Sequence, residues 1–309
     1  MKVLVTGASG FLGGPVCRAL AAAGHEVLGA VRRPVDLAAG VRPVAAADLS
    51  ADADWSVALT GCEAVVHLAA RAHVMHETEA DPLAVFRRVN RDGTARLAEQ
   101  AAAVGVRRFI FVSSIKAQGE SGLLRAIDAP APVDPYGVAK FEAEQALSAA
   151  AARVGMETTV IRPPLVHGAG AKGNLATLMR VLSKGIPLPL AWVDNRRSLV
   201  GADNLADLIR VCLDHPAAAG ATFLVRDAED LSTPQLLRRL AAAMGRRAVL
   251  LPVPPSALRL AARMVGRQAM AERLLGSLTV DDAATRQALS WEPPNSVDSG
   301  LAAMAAAFR

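Results

Sequence analysis

The run KVLVT passes directly into GASGFLGG, which sets Gly7, Gly10 and Gly13 three residues apart, and a helical stretch, GGPVCRALAAAG, follows. A strand, a glycine turn and a helix in that order leave few options. The strand must feed a helix that packs back across it, so a parallel sheet is expected. Glycines at this turn let the backbone approach a pyrophosphate at the helix N-terminus, where free N–H groups and the helix dipole favour negative charge. The turn therefore predicts dinucleotide binding through Gly7, Gly10 and Gly13.

The rest of the first half keeps the same cadence. HEVLGAVRR, CEAVVHLAA, RRFIFVSS and METTVIRPPLVHG read as strands. DPLAVFRRVNRDGTARLAEQAAAVG and PYGVAKFEAEQALSAAAARVG, lying between them, read as helices. Continuous apolar strands separated by helices predict an α/β fold with a doubly wound parallel sheet covered on both faces. From about residue 168 the pattern loosens and Pro and Gly increase, as in KGIPLPL and LLPVPPS. The expected organisation is a dinucleotide-binding domain over 1–167, with a return segment near 198–226, and a smaller substrate region over 168–309.

Charge and cysteine usage remove several classes. The formal net charge is +5, but the 29 arginines are dispersed in ones and twos without interleaved aromatics. Nucleic acid is not expected, and an anionic small molecule accounts better for the surplus. Cys17, Cys62 and Cys212 form no CxxC pair or disulfide framework, and Cys17 reads as helix packing. No apolar run reaches the roughly 18–20 residues that span a bilayer. The N-terminal residues form a strand where a signal peptide would carry its apolar core, so a cytoplasmic protein is expected. His73 and His76 lack a third ligand, so no metal site is expected. His67, inside an apolar strand, reads as a core histidine.

The second strand ends at Arg32-Arg33 with no acid at its tip, where a carboxylate would hold the ribose hydroxyls of NAD. A guanidinium suits a 2′-phosphate, so NADP(H) is favoured, with NAD(H) still possible. Asp48 and Leu49 fall where an adenine edge can be held.

Tyr136 is the only tyrosine, and Lys140, one of five lysines, follows at i+4. Residues four apart share a helix face. A lysine ammonium beneath a phenol stabilises the phenolate, so the pair predicts a general acid–base tyrosine, with the lysine also reaching a nicotinamide ribose. Ser113 and Ser114, at the end of a strand, offer a hydroxyl to the same substrate oxygen.

TGASGFLG, HLAA at 67–70, NRDGT at 90–94, the serine pair, YGVAK and RPPLVHG, in this order, resemble the extended short-chain dehydrogenase/reductases, the NAD-dependent epimerase/dehydratase family. Within it, SSIKAQGE, KGNLATLMR and PLPLAWVDNRRSLVGADNL are similar to the bacterial UDP-N-acetylquinovosamine 4-reductases and UDP-sugar epimerases of O-antigen pathways. The resemblance implies a Rossmann fold, a UDP-sugar substrate and surface-polysaccharide (lipopolysaccharide) sugar synthesis. It assigns Tyr136, Lys140 and Ser114 to catalysis. Ser9, Phe11, Leu12, Leu68, Ala69, Ala70 and Pro163 join the cofactor site. Lys116, Asn174, Leu175, Arg197 and Arg273 meet the substrate, the two arginines at its diphosphate. Asn90 is structural first. The same resemblance implies a homodimer in which the helices near 84–104 and 135–153 form a four-helix bundle.

The chain departs from the pattern at His167 and Gly201, where aromatics are usual, and His167 is expected to alter packing beside the nicotinamide. Dehydratases carry Thr-Asp-Glu where this chain has Ser113-Ser114-Ile115. Ile115 can be neither acid nor base, so water elimination is not expected. The leading expectation is NADPH-dependent reduction of the C4 ketone of a UDP-4-keto-6-deoxy-hexosamine. A UDP-sugar 4-epimerase that retains NAD is the alternative, and a redox-inactive dinucleotide-sensing regulator is the third reading.

Overall fold

The computed structural model describes residues 1–72 and 81–308, so His73 and His76 lie outside the described residues. In chain order, β1 (Lys2–Thr6) leads to α1 (Gly13–Ala22), β2 (Glu26–Val31), β3 (Val41–Ala45), α2 (Ser56–Leu59) and β4 (Ala64–His67). A helical path in three parts follows: α3 (Pro82–Phe86), a π-helical segment (Arg87–Asp92) and α4 (Gly93–Ala103). Next come β5 (Arg108–Val112), a 3₁₀ turn (Ile115–Ala117), β6 (Gly122–Arg125), α5 (Pro135–Ala152) and β7 (Glu157–Arg162). The remainder comprises β8 (Leu165–His167), α6 (Asn174–Ser183), β9 (Leu199–Gly201), α7 (Ala202–Asp214), β10 (Ala221–Leu224) and α8 (Thr233–Ala243). It closes with α9 (Pro255–Met264), α10 (Gln268–Leu275), β11 (Leu278–Asp281), α11 (Ala283–Leu289) and α12 (Val297–Ala306).

Seven parallel strands form the main sheet in the order β10-β7-β5-β4-β1-β2-β3, the expected doubly wound Rossmann architecture. The two-residue side-chain period of β1 divides the core. Val3 and Val5 join Val16 and Leu20 of α1 and Leu205 of α7 on one face. Leu4 joins Leu97 of α4 and Leu147 of α5 on the other. Burying each such Leu contributes about 1.5–3 kcal/mol, which is why helices must cover both faces. A separate apolar cluster gathers Leu175 and Met179 of α6, Leu237 and Leu240 of α8, and Leu301 of α12.

METTVIRPPLVHG, read as one strand, divides at Pro163-Pro164: β7 stays in the main sheet, while β8 pairs with β9. Two residues without an N–H cannot continue a central ladder. Strand order reverses at β1 and β4, so a crevice opens beyond their C-terminal ends, the usual ligand position in such sheets.

His67, at the end of β4, is buried as expected and fully satisfied. Thr94 donates its hydroxyl to Asn90 O (2.6 Å), so its oxygen must accept from His67 Nε2 at 3.0 Å. Thr6 then donates to His67 Nδ1 at 2.6 Å, and its oxygen accepts from Ala69 N at 3.3 Å. Burial, with Lys140 nearby, pushes the imidazole down to about 3, so the ring stays neutral. Asn90 exchanges hydrogen bonds with the backbone of Arg71, Oδ1 accepting from N at 2.8 Å and Nδ2 donating to O at 3.0 Å. These contacts fix the segment after β4, in agreement with a structural role for Asn90.

A second buried network ties β8 and β9 to the C-terminal helices. His167 Nε2 lies 2.6 Å from Asp227 Oδ2, and both side chains are fully buried. Asp227 Oδ1 also accepts from Gly201 N (2.9 Å) and Asn204 Nδ2 (2.7 Å). Asn204 in turn bonds the backbone of Asn295, just before α12. Asp227→Ala should therefore orphan three buried donors and cost about 3–5 kcal/mol in urea unfolding, as removing one partner of a buried charged cluster does. A loss below about 1 kcal/mol would show that water replaces the carboxylate without penalty.

Candidate active site

The glycine turn carries the geometry that a pyrophosphate requires. Gly7 has φ +70°, a conformation open to glycine, and Gly10 N donates to Gly7 O at 2.8 Å. A Cβ on Gly13 would lie 2.3 Å from the carbonyl oxygens of both Gly7 and Ala8, so α1 can start only with glycine there. Gly13 N bonds Gly10 O at 3.1 Å and Pro15 has no N–H, so with no side-chain cap the Gly14 amide is left as a donor for an anion. Leu68 and Ala69 pass directly under Gly7, and Phe11 reaches Gly168 after β8. Ser9 and Gly10 are exposed at the top of the turn, while Leu12, Leu68, Ala69 and Ala70 are half-buried around it. These residues fit a dinucleotide.

The tip of β2 is less decisive. Arg32 and Arg33 are exposed there, and Arg32 Nη1 stands 3.5 Å from Asp48 Oδ1 across the edge of the sheet. Leu49 packs its backbone against Gly93 at the start of α4, which fixes the Asp48–Leu49 loop.

α5 brings Tyr136 to the end of β5. Asp134 caps the helix, accepting from Gly137 N at 2.7 Å, and Pro135 occupies the first turn. The absence of a side chain at Gly137 lets this turn approach Lys116 O, which a Cβ would meet at 2.5 Å. Ser114, whose Oγ accepts from Lys116 N at 3.2 Å, is thereby placed beside the Tyr136 phenol, where its hydroxyl favours the phenolate. Phe86 packs edge-on against the Tyr136 ring, with centroids 5.8 Å apart. Pro163 O accepts from Ile115 N at 2.9 Å, so Pro163 borders the same turn. Lys116, expected at the substrate, pairs with Asp134 and with Glu120 (3.0 Å). Its ammonium braces the cap of α5.

A buried cluster behind this turn has no counterpart in the sequence reading. Glu144, one turn after Lys140, accepts from Ser113 Oγ and from Arg162 Nε at 3.0 Å. Arg162 also donates to Gln118 Oε1, and Gln118 Nε2 donates to Asp128 O at 2.8 Å. The only sequence signal was an acid on the Tyr136–Lys140 face and an arginine closing the apolar run TTVIR.

The C-terminal residues divide. Arg197 is half-buried with Nη1 donating to Gly276 O at 3.1 Å, and burial lowers its pKa. Among the described residues it has no carboxylate partner, a state that suits an anion. Arg273 is exposed in the last turn of α10, three residues before Gly276, so the two arginines share one neighbourhood. Asn174 is exposed at the first turn of α6. Leu175 is 1% exposed and belongs to the C-terminal apolar cluster. His167 is likewise fully buried, against Asp227.

The electrostatics of the tyrosine–lysine pair differ from the expectation. Lys140 is buried, donates to Val112 O at 2.8 Å and lies 3.9 Å over the Phe111 ring. Burial pushes its ammonium down to about 7, with Glu144 pulling the other way. Tyr136 keeps some exposed surface, yet the surrounding protein desolvates its phenol. That desolvation pushes it up to about 12, against a lowering by Ser114 and with a smaller rise from Asp134. With the protein's own groups alone, the phenol keeps its proton and the amine readily loses one.

This depressed lysine makes a linkage prediction. Between about pH 7 and pH 10 the unfolded chain holds the Lys140 proton and the folded chain does not, so stability rises with pH. The stability of the wild type relative to Lys140→Met should therefore increase over that window in urea titrations. A constant difference would mean that Lys140 stays charged when buried.

Comparison with known proteins agrees with this geometry. Residues 3–225 match the model of the NAD dependent epimerase/dehydratase family. A protein of Vibrio cholerae named UDP-glucose 4-epimerase is 43% identical over 99% of this chain and 95% of its own. The crystal structure of a putative epimerase from Burkholderia cenocepacia has TM-score 0.79 and 26% identity, covering 100% of this chain and 98% of that one. A UDP-glucuronic acid 4-epimerase from Bacillus cereus, solved with NAD, shares the fold at TM-score 0.80 and 20% identity, covering 100% and 98%. With the glycine turn, the parallel sheet and the Tyr136–Lys140 pair in place, the chain belongs to the NAD dependent epimerase/dehydratase family.

Proposed function

We propose that the protein is a nucleotide-sugar 4-epimerase, inverting C4 of a UDP-hexose while one nicotinamide dinucleotide serves both half-reactions. The observation that carries this reading is the 43% identity to the Vibrio cholerae relative named UDP-glucose 4-epimerase along nearly the full length of both chains. It favours epimerisation over the 4-keto reduction expected first from the sequence.

When bound at the glycine turn, the nicotinamide ring supplies the acceptor, and then the donor, of the C4 hydride. Tyr136 takes the C4 hydroxyl proton as the C4 hydride leaves and returns it after the 4-keto sugar has turned over. Ser114 holds the C4 oxygen. Lys140, one turn on along the same helix face, stabilises the phenolate when its amine holds a proton. Arg197 and Arg273 neutralise the diphosphate, with the first turn of α6 at Asn174 beside the nucleotide. The assembly that goes with this reading is a homodimer built on α4 and α5.

Incubation of the purified protein with UDP-glucose should yield UDP-galactose without added cofactor, and denaturation should release NAD. Tyr136→Phe should keep the NAD but lose on the order of 10²–10⁴ in turnover. Absence of bound NAD, together with consumption of NADPH by a UDP-4-keto sugar, would restore the reductase reading.

Cofactor choice provides a separate test, because Arg32-Arg33 favours a 2′-phosphate while Asp48 offsets Arg32. Changing both arginines to alanine should weaken NADPH by about one to two decades and leave NADH nearly untouched in calorimetric titration. Equal losses would mean that the arginines hold the loop and do not read the phosphate.

A further inference from the structure

One helix shows solvent an apolar face that the fold leaves uncovered. In α9, Leu258 and Ala262 pack inward against the C-terminal apolar cluster. The apolar arc then continues outward through Ala257, Leu260, Ala261, Met264 and Val265. Leu260 is 63% exposed, Met264 78% and Val265 67%. Nearby in the chain, Val249 and Leu251 are exposed on a segment hydrogen-bonded to Leu188, beside exposed Ile186 and Trp192. Large apolar side chains in solvent are unremarkable singly, but several on one helix and its neighbouring segment mark an interaction surface.

Charge identifies what that surface meets. Residues 246–273 carry six arginines (246, 247, 259, 263, 267 and 273) and one acid, Glu272. That local surplus equals the +5 of the entire chain, so the remainder is balanced. Glu272 pairs with Arg259 at 3.2 Å. Among the described residues, Arg246, Arg247, Arg263 and Arg267 have no ion pair, and all four are exposed. On α9 the arginines at 259 and 263 flank the apolar arc. A second copy docking by the same face would oppose arginines to arginines with almost no acids between them. A convex helix with protruding Leu, Met and Val, edged by arginine, matches the pattern that lies in a bilayer interface.

We propose that the α9 face, with its flanking arginines, docks the protein peripherally on an anionic phospholipid bilayer. No helix among the described residues is long and apolar enough to cross one, so the contact is interfacial. α9 packs on α10, whose last turn holds Arg273 close to Arg197, so docking brings the diphosphate neighbourhood near the headgroups.

The test is co-sedimentation of the full chain with vesicles of phosphatidylethanolamine and phosphatidylglycerol in equal parts, against pure phosphatidylcholine. The protein should pellet with the first and not the second, and less as salt rises. Leu260→Ser with Met264→Ser should abolish pelleting while the far-ultraviolet dichroism is retained. Arg263→Glu with Arg267→Glu should lower partition by more than about 25-fold, since each basic residue contributes about fivefold. These arginines lack partners, so this variant also serves if the first misfolds. No pelleting on phosphatidylglycerol at low salt would overturn the proposal, as would pelleting indifferent to both variants. A lipid-free dimer that Leu260→Ser dissociates would assign the face to a second copy and overturn it equally.

Discussion

The buried carboxylate of Glu144 holds the candidate active site together. It accepts from Ser113 at the end of β5 and from Arg162 at the end of β7, while its own helix carries Tyr136 and Lys140. Two strands and α5 are thereby locked at one depth, within reach of the Ser114 turn. Arg162 and Glu144 are 6% and 7% exposed, so each charge is costly without the other. A pair of this kind contributes more to geometry than to net stability, and here the geometry is the register of the phenol against Ser114. The same carboxylate opposes the desolvation of Lys140, so position and proton affinity are set by one group.

The cofactor end of the crevice follows a different rule. There the backbone does most of the binding chemistry, and side chains matter by their absence: none at Gly7, none at Gly13 and no capping group on α1. Polar side chains appear only at the rim, where Arg32 and Asp48 stand exposed and close together. Exposed charges of this kind interact weakly, so preference between phosphorylated and unphosphorylated cofactor is open to small changes at the β2 tip. The catalytic end has no such latitude.

Much of the fold was legible because parallel strands covered on both faces must read as unbroken apolar runs, and β1, β2, β4 and β5 do. The glycine turn and the spacing of Tyr136 and Lys140 were legible because the constraints are local. What spacing does not reveal is long-range pairing. Glu144 and Arg162 meet across a helix and a strand, His167 meets Asp227 sixty residues on, and Lys116 turns to a cap eighteen residues away. The π-helical segment at Arg87–Asp92 escaped because the pattern there is ordinary. It appears where Asn90 must reach the backbone of Arg71 and Phe86 must meet the Tyr136 ring. The proton affinities of Tyr136 and Lys140 depend on burial, which spacing does not encode.

The scarcity of tyrosine has an optical consequence. Any tyrosinate absorbance that the folded protein shows must come from Tyr136, since the chain has no other phenol. The candidate catalytic group is thus its own reporter, with no label and no background from the same chromophore. Ionisation driven by a ligand can be followed directly, and the approach of Lys140, Ser114 or a bound sugar oxygen would register as a change in one spectrum.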